Sequence, residues 1–376
     1  MRVALALLRY FPHGGLQRDA LLTALAARDA GHEVVVYTRR WDGERPEGID
    51  VRVLDAGGRT NHGRARRFAA ALPAALAAAR ADAVIGFDRL PGLDAWFAAD
   101  PCFAERLRAR GPLYRATPRA RTFAALERAV LDPAASTRIL LVDARQRPIF
   151  RRHYGTPEAR FVELPPGVAP DRRAGDDAAA LRAAGRGEFG VAEDEHLLLF
   201  LGSDFARKGL DRALSGLAAL PPPLRDRTRL LAVGADRGAP WERRARRLGV
   251  AARVVVEPGR DDVPRLLQAA DLLVHPARVE NTGTVLVEAL AAGRPVLCTA
   301  ACGYARHVED AGAGAVVPEP FDAGRFVEAL RRLLEAERSE LRNAALAWAA
   351  ATDLGGLHRR IVGELEAIAA RREAGP

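Results

Sequence analysis

Short apolar runs alternate with amphipathic stretches over most of this chain. Residues 2–8 (RVALALL) and 33–38 (EVVVYT) are brief and rich in β-formers, and they flank a helical stretch, 17–30, that ends at Gly31. That is a βαβ opening. Further strand candidates follow at 51–54 (VRVL), 83–86 (AVIG), 138–142 (RILLV) and 160–164 (RFVEL), separated by Ala/Arg/Leu segments of helical period such as 65–80. Alternation of this kind predicts a mostly parallel sheet with helices on both faces. Pro165-Pro166-Gly167 breaks it, and a polar stretch, 170–190, precedes a new strand at 196–202 (HLLLFLG). A second series then runs through strands at 229–233, 253–256, 272–275 and 295–298. The chain is thus expected to hold two doubly wound, Rossmann-like α/β domains, residues 1–166 and 167–350, facing each other across a cleft. An amphipathic helix carrying Leu357, Ile361, Leu365 and Ile368 occupies the last segment, 351–376, and is expected to pack back on the first domain. Open α/β sheets bind ligands at the carboxyl ends of their strands, so any chemistry should collect there.

Composition adds the compartment. Of the 376 residues, 49% are hydrophobic and 28% charged, the balance of an ordinary globular protein. No apolar run approaches the roughly 20 residues of a bilayer-spanning helix. The six apolar residues between Arg2 and Arg9, with no small-residue cleavage site after them, read as a buried first strand rather than a signal peptide. A cytoplasmic protein is expected. Cys102, Cys298 and Cys302 are odd in number and lack CxxC spacing, against both a disulfide framework and a structural zinc site. Cys298 and Cys302 read as packing residues.

The net charge of +9 is confined to one half: residues 1–165 hold 27 Arg against 18 Asp and Glu, while 166–376 hold 30 basic and 30 acidic residues. An anionic partner is implied for the first half, whether a membrane surface, a phosphorylated substrate or nucleic acid. The densest stretch, 103–132, interleaves seven Arg with Phe103, Leu107, Leu113, Tyr114, Phe123 and Leu126. Aromatics at headgroup depth and guanidiniums for lipid phosphates make an interfacial segment. A solvated helix with an ordinary core face has the same pattern. Among 57 basic residues Lys208 is the single lysine. Where arginine has replaced lysine everywhere else, that position suggests a need for a compact ammonium rather than a planar fork, chance survival in a solvated basic turn being the other reading.

Three segments carry candidate chemistry. Gly14-Gly15, between the first strand and its helix, let backbone N–H groups approach an anion, although GxGxxG is absent and a plain tight turn explains them equally well. Arg207-Lys208 follow the first strand of the second domain, where a phosphate would lie, and adjacent guanidinium and ammonium groups suit a diphosphate whose charge grows as a bond to it breaks. Glu280 and Glu288 form an EX7E pair around Asn281-Thr282-Gly283-Thr284-Val285, with Glu280 in the loop, a helix opening near Gly283, and Glu288 about two turns on at nearly the same face. One carboxylate would receive sugar hydroxyls, the other a ribose diol, and the N–H groups of Gly283, Thr284 and Val285 the phosphates between. A capping glutamate and an ordinary surface glutamate would give the same spacing.

Taken together these segments are similar to retaining nucleotide-sugar glycosyltransferases of the two-Rossmann (GT-B) architecture. RYFPHGGLQRD (9–19), TNHGR (60–64), GFDRLPGLDAWFAAD (86–100), LPPGVAPDR (164–172), GSDFARKGLDR (202–212), GRDDV (259–263) and CGYARHV (302–308) resemble the WaaG-type lipopolysaccharide core glucosyltransferase I family over essentially the whole chain. The resemblance implies that Glu288 binds the ribose of uridine diphosphate, Arg207 and Lys208 the diphosphate, and Glu280 the donor-sugar hydroxyls. Gly14, Gly15, Ser203, Arg260 and the 281–285 run complete the donor site; Asp19 and Asp100 lie near the reacting sugar, and Asn61 and His62 on the acceptor side. Family members also carry a membrane-interacting basic segment corresponding to 103–132. Asn281-Thr282 stands where relatives usually carry small or aromatic residues, a departure that bears on which sugar is donated.

The implied reaction moves a hexose, glucose being expected, from a UDP-sugar to a heptose of the lipopolysaccharide inner core with retention. No carboxylate is placed as a covalent nucleophile, so a front-face displacement is expected, with Arg207, Lys208 and the 283–285 helix start stabilising the departing diphosphate. No spaced DxD motif stands in a suitable loop, Asp261-Asp262 being adjacent, and the two cations replace a divalent ion: neither metal nor cofactor is expected. The expected location is peripheral, on the inner face of the cytoplasmic membrane. A phosphorylase or epimerase on the same fold leaves 103–132 without purpose. The other alternative is a basic membrane- or nucleic-acid-binding protein on a Rossmann-like scaffold; without RNP, zinc-finger or helix-turn-helix signatures, lipid fits better than nucleic acid.

Overall fold

Both halves of the chain lay their apolar runs side by side as parallel strands. The structure is a computed structural model that describes residues 1–12, 14–54 and 57–374. It divides into two units, Met1–Pro165 with Gly356–Pro376, and Pro166–Gly355.

The first unit is built on seven strands: β1 (Arg2–Leu7), β2 (Glu33–Thr38), β3 (Asp50–Val53), β4 (Ala83–Gly86), β5 (Ala95–Ala98), β6 (Arg138–Leu141) and β7 (Phe161–Glu163). Their order is β3-β2-β1-β4-β5-β6-β7, and every pair is parallel, with Val3 opposite both Val34 and Ala83. Central β1 is apolar on both faces because both are covered. Val3, Leu5 and Leu7 pack under Ala20, Ala24 and Ala27 of the helix Gly15–Asp29, while Ala4 and Ala6 meet Phe68, Leu72 and Leu76 of the helix Asn61–Ala79. The helix Leu357–Glu373 joins the first of these layers through Leu357, Ile361, Leu365 and Ile368, each worth about 1.5–3 kcal/mol of burial. Arg138–Glu364 and His32–Glu366 contacts, both 2.9 Å, fix its rotation.

The second unit repeats the plan with β8 (His196–Leu201), β9 (Thr228–Val233), β10 (Val254–Glu257), β11 (Leu272–His275), β12 (Val296–Thr299) and β13 (Gly314–Val317), ordered β10-β9-β8-β11-β12-β13 and parallel throughout. The order reverses between β8 and β11, as it does between β1 and β4. At such a reversal the loops leaving the two strands part in opposite directions and open a crevice at the carboxyl ends.

Several local expectations shift. Strands β5 and β13 fall in stretches read as connections, each only four residues long. Gly15 is the first helical residue and Gly14 its N-cap, so the double glycine is a helix start rather than a turn between elements. The segment 103–132 is three helices, Phe103–Arg108, Pro112–Arg115 and Pro118–Leu131, docked by the buried Glu127, which accepts from the N–H groups of Phe103 and Ala104 and from the Tyr154 hydroxyl. Residues 351–355, expected with the terminal helix, belong to the second unit.

Candidate active site

In the second unit two loops leave the reversal point, 202–209 after β8 and 276–283 after β11, and they are latched together by backbone contacts. Gly209 stands at φ +83°, and a Cβ there would lie 2.1 Å from the carbonyl oxygen of Pro276. Arg278 donates its N–H to the carbonyl of Arg207 at 2.8 Å and pairs with Asp211 through both guanidinium ends. Arg212 donates to the carbonyls of Pro276 and Ala277 at 3.1 Å each. On the far side, the Asp236 carboxylate accepts from the N–H of Asp204 at 2.6 Å, and Asp204, itself left-handed at φ +62°, caps the short helix Phe205–Lys208. The Arg-Lys pair is thereby aimed at the β11 loop.

Arg207, Lys208 and Glu280 meet there. Glu280 Oε2 lies 3.1 Å from Arg207 Nη1 and 3.4 Å from Lys208 Nζ. The buried imidazole of His275, the last residue of β11, places Nε2 3.6 Å from the same oxygen. Burial pushes the Glu280 carboxyl up, but His275 and the charges of Lys208 and Arg207 outweigh it and hold the group well below the usual carboxylate range. His275 is shifted down, chiefly by burial, and the Arg207 and Lys208 cations face one carboxylate. The Lys208 ammonium crosses the backbone of Gly202, where a Cβ would come within 2.6 Å of Nζ.

The EX7E pair is divided as expected, with Glu280 in the loop and Glu288 on the helix. Residues 280–283 are non-helical, Gly283 is at φ +79°, and the helix is Thr284–Ala291, so Glu288 is its fifth residue. Glu280 is held by a bridge to Cys302. Glu288 and Val285 are buried, Asn281, Thr282 and Thr284 half-buried, and the Thr282 carbonyl accepts from Tyr304 at 2.8 Å. The Ser203 hydroxyl accepts from Ala235 N–H at 3.1 Å. Arg260 does not join the Arg207 group: its guanidinium is paired with Glu188 and Asp262, both at 2.8 Å. Asp262 is shared by Arg260 and Arg265, and among the described residues no three His, Cys, Asp or Glu side chains gather as a metal would require. Cys298 and Cys302 are buried free thiols.

In the first unit the expected residues are spread over several elements. A Cβ on Gly15 would meet no heavy atom within 4 Å among the described residues, leaving the helix start open; His13 lies outside the described residues. Asp19 is 3.9 Å from His358, whose imidazole burial, and then Arg18, push down to about 4, so that it is uncharged at pH 7. Asn61 and His62 open the helix Asn61–Ala79, His62 lying 3.3 Å from the Thr60 hydroxyl. Asp100 is exposed and 3.4 Å from Arg89. The sequence reading passed over Asp88, at the carboxyl end of β4 and so at this unit's own reversal point, where it accepts from the N–H of Leu8 at 2.6 Å. Burial raises its carboxyl to about 6, against the Leu8 hydrogen bond and helped by the charge of Asp100. A carboxylate with a raised folded pKa favours the fold at low pH and loses that contribution as pH rises through about 6. Asp88→Asn keeps an acceptor for Leu8 and is expected to stabilise the protein by up to about 3 kcal/mol at pH 8 and not at pH 4. Urea unfolding at the two pH values checks this; equal effects at both would refute it.

Comparison with known proteins shows the family. Residues 182–348 match the glycosyl transferases group 1 model and residues 13–172 the glycosyltransferase family 4 model. The lipopolysaccharide glucosyltransferase WaaG of Escherichia coli K12 is 44% identical over 350 residues, covering 93% of this chain and 92% of that protein. The chain belongs to the WaaG family. A crystal structure of WaaG, described as a glycosyltransferase involved in lipopolysaccharide biosynthesis, superposes with a TM-score of 0.89 at 42% identity, over 96% of this chain and 99% of that one. Anabaena HepE in complex with UDP-glucose shares the fold at a TM-score of 0.73 and 17% identity, over 98% and 100% of the two chains. This WaaG-family chain thus has two Rossmann-like domains of the GT-B fold, and the alternative of a basic binding module on such a scaffold is not favoured. Sequence reading missed His275 and the braces Asp204, Asp236 and Arg278. The strand-final position of His275, followed at once by Pro276, was its one signal.

Proposed function

We propose that this WaaG-family chain transfers glucose from UDP-glucose to a heptose of the lipopolysaccharide inner core, with the anomeric configuration retained and without a metal ion. The observation that carries the reading is the pairing of two cations with one carboxylate at the carboxyl ends of β8 and β11. A diphosphate entering there exchanges counter-ions: its oxygens take the Arg207 and Lys208 charges, and Glu280 is released to accept hydroxyls of the donor sugar. Glu288 receives the ribose diol and Ser203 and the Gly283–Val285 helix start the remaining phosphate oxygens. Asn281 and Thr282 flank the sugar, and Asn61, His62, Asp19 and Asp100 serve the acceptor.

In the transfer, the bond from the sugar C1 to the diphosphate oxygen breaks while the acceptor oxygen bonds C1 on the same face. The acceptor's proton passes to the departing diphosphate. Arg207 and Lys208 stabilise the negative charge that grows on that leaving group, each fixed donor being worth about 3–4 kcal/mol in a site of this kind. Because two protein cations do this, a divalent ion is not required. The test is transfer from UDP-glucose to a heptose-terminated core acceptor in EDTA, with the product's anomeric coupling read by NMR. An α-linked product from the α-donor supports the reading; inversion, or a strict need for added metal, refutes it.

The same reading places the chain peripherally on the inner face of the cytoplasmic membrane. Among the described residues no helix is long and apolar enough to span one. In the three helices of 103–132, Leu113 is 88% exposed, and Arg106, Arg108 and Arg110 crowd the same surface stretch. Lipid phosphates would take those guanidiniums while Leu113 enters the headgroup layer. Vesicles with about 30% anionic lipid are expected to sediment the protein and neutral vesicles not to, and Leu113→Glu to weaken the association several-fold. Equal binding to both kinds of vesicle would contradict this.

A further inference from the structure

At the edge of the second sheet opposite the candidate active site, a cavity of about 340 Å³ opens beside the amino ends of β8, β11 and β12. The six-residue strand β8 separates the two places by roughly 17 Å. Arg182, Arg294, Arg338 and Arg342 line the cavity with His196, and Asp271 is its one carboxylate. That carboxylate is already taken. It accepts from Arg182 at 2.5 Å, from Arg186 at 2.9 Å and from the N–H of Leu197 at 2.8 Å, with Arg338 farther out at 3.7 Å.

Among the described residues, Arg294 and Arg342 form no ion pair, and the nearest opposite charge to Arg294 is the shared Asp271. Arg294 is 7% exposed and donates only to neutral groups, the Gln268 amide oxygen at 2.6 Å and the Ala270 carbonyl at 3.2 Å. Arg342 is half-buried, and its guanidinium makes no hydrogen bond or ion pair with any described residue. Burial, and then the facing charges of Arg342 and Arg182, lower Arg294 to about 9, so it stays protonated at neutral pH while it is repelled. His196 brings no further charge: burial, and then Arg338, push its imidazole down to about 4, and Arg338 lies 3.0 Å from its Nδ1. Like charges collected in a concave, partly buried pocket repel one another more than on an open surface. A multivalent oxyanion removes that repulsion and accepts from the guanidinium forks two bonds at a time. The volume lies within the range of small-molecule sites, and the apolar floor of Leu272 and Leu341 suits a carbon skeleton behind the charge.

We propose that this cavity is a binding site for a small multivalent oxyanion, separate from the diphosphate site at the opposite edge of the sheet. The test is calorimetric titration of the full-length protein with pyrophosphate and, separately, citrate, with the other site saturated by UDP and again without UDP. One equivalent is expected to bind in the UDP-saturated protein. Arg342→Gln is expected to weaken it at least tenfold and to leave UDP affinity unchanged. Without any anion, the same substitution should raise the melting temperature, because it removes a repelled cation; a merely structural arginine would lower it. Arg338→Gln provides a second variant, and Arg331→Gln, on a surface helix and paired with Glu328 and Glu335, should change nothing. The proposal is overturned by no binding at millimolar anion, by full binding in both cavity variants, or by equal weakening in Arg331→Gln, which would mark diffuse screening. Pyrophosphate without citrate assigns phosphate-type ligands, and citrate alone polycarboxylates.

Discussion

Lys208→Ala is expected to slow sugar transfer by about 10²–10³-fold, and Lys208→Arg to restore little of it. The first effect follows from removing one of two fixed cations at the place where leaving-group charge develops. The second follows from shape. Lys208 is 16% exposed and passes so close over Gly202 that a Cβ there would sit 2.6 Å from Nζ and 3.1 Å from Cε. A guanidinium is wider, planar and directional, and it would have to share that slot with Arg207 beside a single carboxylate. Steady-state rates with saturating UDP-glucose measure the effect. Near-normal turnover in Lys208→Arg would show that the single lysine of the chain is a survivor of composition and not a requirement of the site.

Gly209→Ala is expected to cost about 2–4 kcal/mol of stability and to abolish donor binding even in the fraction that folds. Its φ of +83° is unfavourable for alanine, and the added methyl would stand 2.1 Å from the Pro276 carbonyl oxygen, a backbone atom with nowhere to go. Relief requires the 202–209 loop to separate from the 276–283 loop, which takes Arg207 and Lys208 away from Glu280. Gly187→Ala is the matched control. Gly187 lies in the helix Ala178–Glu188 with no heavy atom within 4 Å of a Cβ, so alanine there should be neutral or stabilising by up to about 1 kcal/mol. Urea unfolding of the pair separates the two mechanisms, and equal stabilities would refute the close-packing argument.

How far the sequence revealed this site depended on whether a residue's reason was local. Strands β1, β2 and β8 announce themselves because six or so apolar residues in a row have few other uses, and Arg207-Lys208 and Glu280 stand out as chemistry next to strand ends. Strands β5 and β13 do not, since four residues such as AWFA or GAVV carry too short a pattern to separate from a loop. Gly209 reads as one more turn glycine, because what requires it is the carbonyl of Pro276, 67 positions away and on another strand's loop. Asp88 and His275 owe their shifted acidities to burial at the two reversal points, which only strand order discloses. Glu280 is legible as a loop residue before a helix opening near Gly283, but the bridge to Cys302 that holds it there joins positions 22 apart and is not local.

The central claim is that the crevice between β8 and β11 is built for a uridine diphosphate sugar. Calorimetric titration of UDP in EDTA against the wild type, Glu288→Ala and Glu280→Gln tests it most directly. Micromolar binding by the wild type, lost in Glu288→Ala and retained in Glu280→Gln, is the expected result, because Glu288 is assigned to the ribose while Glu280 is assigned to the donor-sugar hydroxyls, which UDP alone does not present. Failure of UDP to bind, or binding indifferent to Glu288→Ala, would contradict it.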